Sequence, residues 1–310
     1  MMVDRPLFTR EFDQISDFNP VEGSAYIYGT NGEPRSEFAD ILQADNDKVH
    51  FYKIVTEDKY YFSTDVESST PISLRNKRSI SAFLETIKEQ VIYVDITGLG
   101  HATWGALIRC TLEQKRTVRV VYLEPRSYLR TLEPKVGDIF DLSERIQGID
   151  PLPMFPTFSD FEDEKSCFVP LLGFEGTRFA HMFENVQPED RKTFPIIGVP
   201  GFRQEYPFST YLGNASPLQR SESFARVRFA KSNCPFSLYY RVEDLANEFA
   251  GHIMKLGLVG TKPHALGAIL FAIRNQDRSE IIYDHVIRRP GRTSGTDKCL
   301  VYGISEFMGI

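Results

Sequence analysis

Short apolar runs alternate with amphipathic stretches along most of this chain. Ala25-Tyr26-Ile27-Tyr28 is a β-prone run ending at Gly29, and Glu33-Pro34-Arg35-Ser36 then opens an amphipathic stretch to Gln43. Pro34 suits a first helical turn, where its missing N–H would have no helical partner in any case. Val49 to Val55 and Tyr60 to Val66 read as two strands around the polar turn Thr56-Glu57-Asp58-Lys59. Ser79 to Gln90 has helical spacing, with Ile80, Phe83, Leu84 and Ile87 on one face. Val91 to Ile96, His101 to Gln114 and Thr117 to Leu123 then read as strand, helix and strand, a βαβ unit whose strands pair in parallel through a right-handed crossover.

A second such pattern follows in Cys167 to Leu172, Thr177 to Asn185 and Phe194 to Gly198. Between the two, Pro151, Pro153 and Pro156 precede Asp160, Glu162, Asp163 and Glu164, a composition that marks a connection. The division expected is an N-terminal α/β half over 1–150, a proline- and acid-rich connection over 151–166 and a C-terminal α/β half over 167–310. Pro200 to Ser223 mixes glycine, proline and aromatic residues without a period and reads as a long ordered loop or lid. Phe236 to Phe249 is helical, Met254 to Val259 a strand, Pro263 to Ile273 an apolar helix, and Glu280 to Tyr283 and Cys299 to Ile304 are strands. The whole order predicts an α/β fold: a Rossmann-like, mostly parallel sheet flanked by helices, with two βαβ-containing halves. Gly29-x-x-x-Glu33-x-Arg35 also has an echo in Gly173-Phe174-Glu175-x-x-Arg178, each following a strand and opening a helix.

Composition narrows the partners. The 310 residues carry 36 Lys and Arg against 42 Asp and Glu, a formal charge of −6, which argues against an extended nucleic-acid track. The apolar stretch from Ile253 to Ile273 is long enough for a membrane span but carries Lys255, Lys262, Pro263 and His264 in its middle, so no membrane partner is expected. Met1 to Arg10 has no apolar run and predicts no secretory leader. Cys110, Cys167, Cys234 and Cys299 form no CxxC pair, which predicts reduced thiols and a cytoplasmic setting.

Ligands of such sheets bind beyond the carboxyl ends of the strands. The junctions there are Gly29-Thr30-Asn31-Gly32, Asp95-Ile96-Thr97-Gly98, Glu124-Pro125-Arg126, Gly173-Phe174-Glu175-Gly176, Gly198-Val199-Pro200-Gly201 and Gly260-Thr261-Lys262. Glycines there make tight turns on any account, but the repetition of glycine with hydroxyl, acid or base favours a lined crevice. In Gly260-Thr261-Lys262 the glycine lets backbone N–H groups approach an anion, the following helix adds its positive end and Lys262 a full charge. The order of Thr261 and Lys262 is not that of a Walker A loop. His285 to Thr296 has no acid and holds Arg288, Arg289 and Arg292, whose forks suit phosphate; a solvated hairpin tip is the plain alternative. A catalytic set is thinner: Asp95 and Glu124 with His101 as base would serve metal-assisted hydrolysis, although Pro125 and Arg126 follow Glu124 where a strand-borne lysine would be wanted. His181 and His264 read as packed histidines, Cys110 and Cys167 as core thiols, and no metal site or cofactor is indicated.

The strand, Gly260-Thr261-Lys262-Pro263 and the apolar helix after it resemble the glycine-threonine-lysine segment of CARF-type Rossmann-like domains, with Val259 where a second glycine is usual. The resemblance covers about twenty residues. It implies a sensor of cyclic oligonucleotide signals in prokaryotic antiviral defence, with Gly29 to Gly32 facing the same ligand. The reading is therefore a module that holds a nucleotide or other small phosphorylated ligand at Gly29, Thr30, Asn31, Thr97, Gly173, Glu175, Gly260, Thr261, Lys262, Arg288, Arg289 and Arg292, and signals to a protein partner or as a homodimer. Two alternatives stand beside it: a metal-dependent nuclease or nucleotide hydrolase or transferase using Asp95, Thr97, His101 and Glu124, and a non-catalytic subunit that docks another protein through its acidic surface and the aromatic loop Phe202 to Tyr211.

Overall fold

A computed structural model describes residues 8–65, 70–135, 137–156, 165–189 and 191–310. The acidic part of the expected connection, Asp160 to Glu164, and the end of the strand expected to reach Val66 lie outside the described residues. The chain divides into two compact units: Leu129–Arg292, here the central unit, and the described chain up to Tyr128 together with Thr293–Ile310, here the N-terminal unit.

In the N-terminal unit the elements are β1 (Thr9–Phe12), β2 (Ala25–Gly29), α1 (Phe38–Ala44), β3 (His50–Glu57), β4 (Tyr61–Thr64), β5 (Ile72–Ser73), α2 (Lys77–Thr86), β6 (Val91–Asp95), α3 (His101–Glu113) and β7 (Thr117–Tyr128). The central unit holds β8 (Arg130–Lys135), β9 (Asp138–Phe140), β10 (Ser143–Ile146), β11 (Asp150–Pro151), β12 (Ser166–Leu171), α4 (Gly176–Val186), β13 (Ile196–Gly198), α5 (Tyr206–Arg220), β14 (Arg228–Ala230), α6 (Pro235–Glu248), β15 (Ile253–Leu258), α7 (Lys262–Arg274), β16 (Ser279–Tyr283) and β17 (Val286–Arg288). β18 (Thr293–Gly303) and α8 (Ile304–Met308) then return to the N-terminal unit.

The N-terminal sheet runs β1-β18-β7-β6-β2-β3-β4-β5. Its middle four strands, β7, β6, β2 and β3, are parallel, and antiparallel strands close both edges. The central sheet runs β11-β16-β15-β12-β13-β14, parallel from β16 to β14, with β11 antiparallel at the edge. Counted from β12, its parallel strands stand in the order 3-2-1-4-5, the Rossmann arrangement. Each unit has its own core: Tyr26, Tyr28, Tyr93, Val121, Leu123 and Cys299 in one, Phe168, Phe179, Met182, Ile197 and Leu218 in the other. All four cysteines are buried and none forms a disulfide.

The βαβ expectations hold: β6 pairs in parallel with β7, and β12 with β13. The stretch from Ile253 to Ile273 is divided between β15 and α7, and no described helix is long and apolar enough to cross a membrane. Two expectations are corrected. First, Pro200 to Ser223 is no lid but contains α5, fifteen residues long. Pro207 sits in its first turn, where no N–H is needed. Pro217 has no N–H for the Gly213 carbonyl four residues back, and Gly176 lies against that carbonyl instead, so the residues that look like breakers serve close packing of α5 on the start of α4. Second, the arginine-bearing segment after His285 is not a hairpin tip. β17 pairs with β10 in the central unit, whereas β18 pairs with β7 in the N-terminal unit.

Candidate functional site

Each sheet has one place where the strand order reverses about its first parallel strand: between β2 and β6 in the N-terminal unit, between β12 and β15 in the central unit. Connections leave the strands toward opposite faces there, so the loops diverge and open a crevice at the carboxyl ends. The residues after those four strands are among the candidates read from sequence: Gly29, Thr30 and Asn31 with Thr97, and Gly173 and Glu175 with Gly260, Thr261 and Lys262.

In the central unit the two loops meet backbone to backbone. A Cβ on Gly173 would stand 2.7 Å from the Val259 carbonyl oxygen, and one on Gly260 2.9 Å from that of Leu172. Only glycine fits either position, and the contact forms a floor of main chain between the starts of α4 and α7. Asn214 of α5 donates to the Gly173 carbonyl at 2.7 Å, and the Phe174 ring stacks on Phe140 at 4.1 Å and meets Tyr206 edge-on at 5.1 Å. Glu175 accepts from the Leu142 N–H at 3.1 Å and the Ser143 hydroxyl at 2.7 Å. Thr261 is the N-cap of α7: its hydroxyl accepts from the His264 N–H at 3.3 Å and donates to the Ser232 carbonyl at 2.8 Å. Lys262, the first residue of α7, is buried.

Arg178, on the first turns of α4, braces this floor. Its fork donates to both Asp284 oxygens at 2.6 and 2.7 Å, its Nη1 donates to the Val259 carbonyl at 3.3 Å, and Glu175 stands 3.9 Å away. Asp284 follows β16, two strands from β12, so the side chain ties three strand ends together. Burial works against the guanidinium charge, yet Asp284 beside it holds the net shift upward.

The N-terminal unit repeats the device. A Cβ on Gly98 would run into the Gly29 carbonyl, so these two loops also touch through main chain. Arg35, buried after β2, pairs with Glu33 at 2.8 Å and donates to the Leu123 carbonyl of β7 at 2.6 Å, again two strands away. The Thr293 hydroxyl donates to Glu33 at 2.6 Å. The sequence echo of Gly29, Glu33 and Arg35 in Gly173, Glu175 and Arg178 thus has a geometric counterpart in each unit.

The remaining candidates fall as follows. Thr30 and Asn31 are exposed, and Asn31 accepts from the Glu33 N–H at 3.1 Å. Asp95 is buried and engaged at both oxygens, by the Tyr26 hydroxyl at 3.0 Å and the Thr97 N–H at 2.8 Å. The Thr97 hydroxyl accepts from the Leu123 N–H at 3.0 Å. His101 is buried at the start of α3 with its ring 5.4 Å from that of Trp104, and Glu124 is buried on β7. Arg288 stands opposite Ser143 in the β10–β17 register, near Glu175; Arg289 pairs with Asp141 at 3.0 Å; Arg292 ends the central unit. Gly173, Glu175, Gly260, Thr261 and Lys262 are therefore brought together, with Arg288 on the strand opposite Ser143, which donates to Glu175, while Gly29, Thr30, Asn31, Asp95, Thr97, His101 and Glu124 belong to the other unit. Sequence reading missed the braces as such. Arg35 and Arg178 were visible in the echo, but Asp284 lies one residue outside the acid-free window and Thr293 inside it. A cavity of about 460 Å³ in the central unit, lined among others by Asp150, Ser166, Gln187, Lys255 and Glu280, lies at the opposite, amino-terminal end of the strands.

His264, behind Thr261, is fully buried, and its Nε2 lies 3.1 Å from the Lys231 carbonyl. Burial pushes its pKa down from 6.5 to about 4. Folding therefore favours the neutral ring. The stabilisation is complete above about pH 6.5 and is lost as pH falls toward 4, amounting to roughly 3 kcal/mol at most. Urea unfolding of the His264→Gln variant should lack this part of the wild-type acid dependence; identical slopes between pH 6.5 and 4 would show that the ring is solvated.

The protein is thus a pair of Rossmann-like α/β units, one carried within the chain of the other. No protein-family model matches the chain, and no curated protein does. Among solved structures it is similar to UDP-GlcNAc 2-epimerase from Neisseria meningitidis, in a crystal structure bound to UDP-GlcNAc, at 11% identity over 81% of this chain and 91% of that one, with a TM-score of 0.23. It is also similar to CobK precorrin-6A reductase, at 9% identity over 92% of this chain and 94% of that one, with the same TM-score of 0.23. At that score neither likeness says what this chain binds or does.

Proposed function

We propose that this chain is a ligand-binding module that holds a nucleotide or another small phosphorylated ligand at the carboxyl end of the central sheet. The observation that carries the reading is the coincidence of the β12–β15 reversal with the two glycine loops and with the starts of α4 and α7. Both helices direct their positive ends to that edge, and Lys262 and Arg288 add charge in a protein whose average is acidic. Thr261 contributes through its main chain, its hydroxyl being committed to Ser232 and to the cap. With the resemblance of this segment to CARF-type domains, the module is read as a cytoplasmic sensor in prokaryotic antiviral defence that passes its ligand state to a partner. The hydrolytic alternative has less behind it: Asp95 is occupied by Tyr26 and Thr97, and the described residues hold no group of three or more His, Cys, Asp or Glu placed to bind a metal.

Thermal shift and calorimetric titration with inorganic phosphate and a panel of mono- and dinucleotides test the reading. Lys262→Ala should weaken binding of the best ligand roughly tenfold relative to the wild type, the loss of one charge-assisted contact. Arg289→Ala, whose partner is Asp141, should change it less. Equal stabilisation of wild type and Lys262→Ala across the whole panel would remove the site.

A further inference from the structure

α5 is apolar on two sides. Tyr206, Thr210, Gly213, Asn214, Pro217 and Leu218 are buried against the central unit. Phe208, Leu212 and Ala215, at i, i+4 and i+7, lie on the opposite side with no charged residue among them, and Tyr211, half-buried against the core at the flank, joins them to the neighbouring chain. Phe208 is 72% and Leu212 47% exposed. The stripe continues onto the neighbouring chain: Phe224, 60% exposed, meets the Tyr211 ring at 5.9 Å, and Phe229, 44% exposed, meets it at 6.4 Å. These side chains adjoin one another, and a contiguous patch of this kind marks an interaction surface.

Its borders choose the partner. Arg203 stands before the first turn of α5, 3.9 Å from Glu205, and Arg220 is its last residue, both exposed; the half-buried Arg226, which donates to the Thr193 carbonyl at 3.2 Å, Arg228, which lies 5.9 Å from the Phe194 ring, and Lys231 follow. Against these five cations the same stretch, 199–231, holds two acids, Glu205 and Glu222. A basic border around an apolar stripe is the opposite of the protein's acidic average. Two copies meeting face to face would place like charge against like charge, which association disfavours. The edge of β14 is an unsuitable alternative for strand addition, because Arg241 already donates to its Phe229 carbonyl at 3.1 Å. We infer that the outward face of α5, with Phe224 and Phe229, docks an acidic amphipathic helix of a partner protein, apolar side chains against the stripe and carboxylates toward Arg203 and Arg220.

The test uses the full chain and two labelled amphipathic peptides of about 18 residues, five helical turns. Both carry leucine at the i, i+3, i+4, i+7 positions; one has glutamate and the other lysine at the remaining positions. Fluorescence anisotropy should show the glutamate peptide bound roughly tenfold or more tightly than the lysine peptide, with affinity falling as salt rises. The Phe208→Glu/Leu212→Glu pair should abolish binding, and Arg203→Glu/Arg220→Glu should reverse the preference. All four side chains are exposed, so thermal midpoints should stay near wild type. Equal binding of both peptides, or none up to about 1 mM, would overturn the assignment. So would a wild-type dimer in light scattering that Phe208→Glu/Leu212→Glu converts to monomer, which would make a second copy the occupant. Nucleotide titrations of these variants should match wild type, which separates a failure of this surface from a failure of the site at Lys262.

Discussion

Arg178→Met should be among the most damaging single substitutions in the chain, lowering stability of the central unit by about 3–5 kcal/mol in urea unfolding followed by circular dichroism. The reason is Asp284. Its side chain is wholly buried and is met by the Arg178 fork at 2.6 and 2.7 Å. Removing the arginine leaves the Asp284 carboxyl in the protein interior without its partner and also frees the Val259 carbonyl at the edge of the glycine floor. The double variant Arg178→Met/Asp284→Leu should recover most of the loss, because apolar groups of similar volume replace a buried pair far better than a lone charge survives without its partner. A single-variant loss under about 1 kcal/mol would mean that water reaches the pair and that it braces nothing.

Gly98→Ala should destabilise the N-terminal unit by about 3 kcal/mol or more, or prevent its folding, in a thermal or urea titration. The added methyl would enter the space of the Gly29 carbonyl, and main chain cannot turn aside as a side chain does. Gly32→Ala is the contrasting case, three residues from Gly29. Its φ is +78° and nothing lies within 4 Å of the added carbon, so only backbone strain opposes it, at about 1 kcal/mol. If the two substitutions cost the same, the loops at β2 and β6 do not touch.

These contrasts also explain what the sequence could and could not reveal. The β6-α3-β7 and β12-α4-β13 units were legible because each apolar run has the length and period of one element. The loops at both strand-order reversals were legible through their glycines, since a turn from strand to helix at close approach leaves few residue types to choose from. α5 was not, because Pro207, Gly213 and Pro217 look alike whether they break a helix or fit its first turn and a close crossing. β18 was only partly legible: its partner β7 lies more than 160 residues earlier, and no local pattern encodes that pairing. The arginine braces were hidden for a related reason. Nothing in the composition around Arg178 distinguishes a cation turned outward to a phosphate from one turned inward to Asp284, and the choice depends on where β16 ends.

The return of β18 to β7 bears on the order in which the units fold. Thr293 stands opposite Tyr128 in the β7–β18 register, and the Leu129 N–H donates to the Arg292 carbonyl at 2.8 Å. For the N-terminal sheet, the central unit is therefore a connection of roughly 160 residues between hydrogen-bonded neighbours. Closing so long a loop as random coil costs about 3 kcal/mol more than closing a tight turn. A folded central unit presents its two ends side by side and removes that cost, so β18 completes the N-terminal sheet most readily after the insert has assembled.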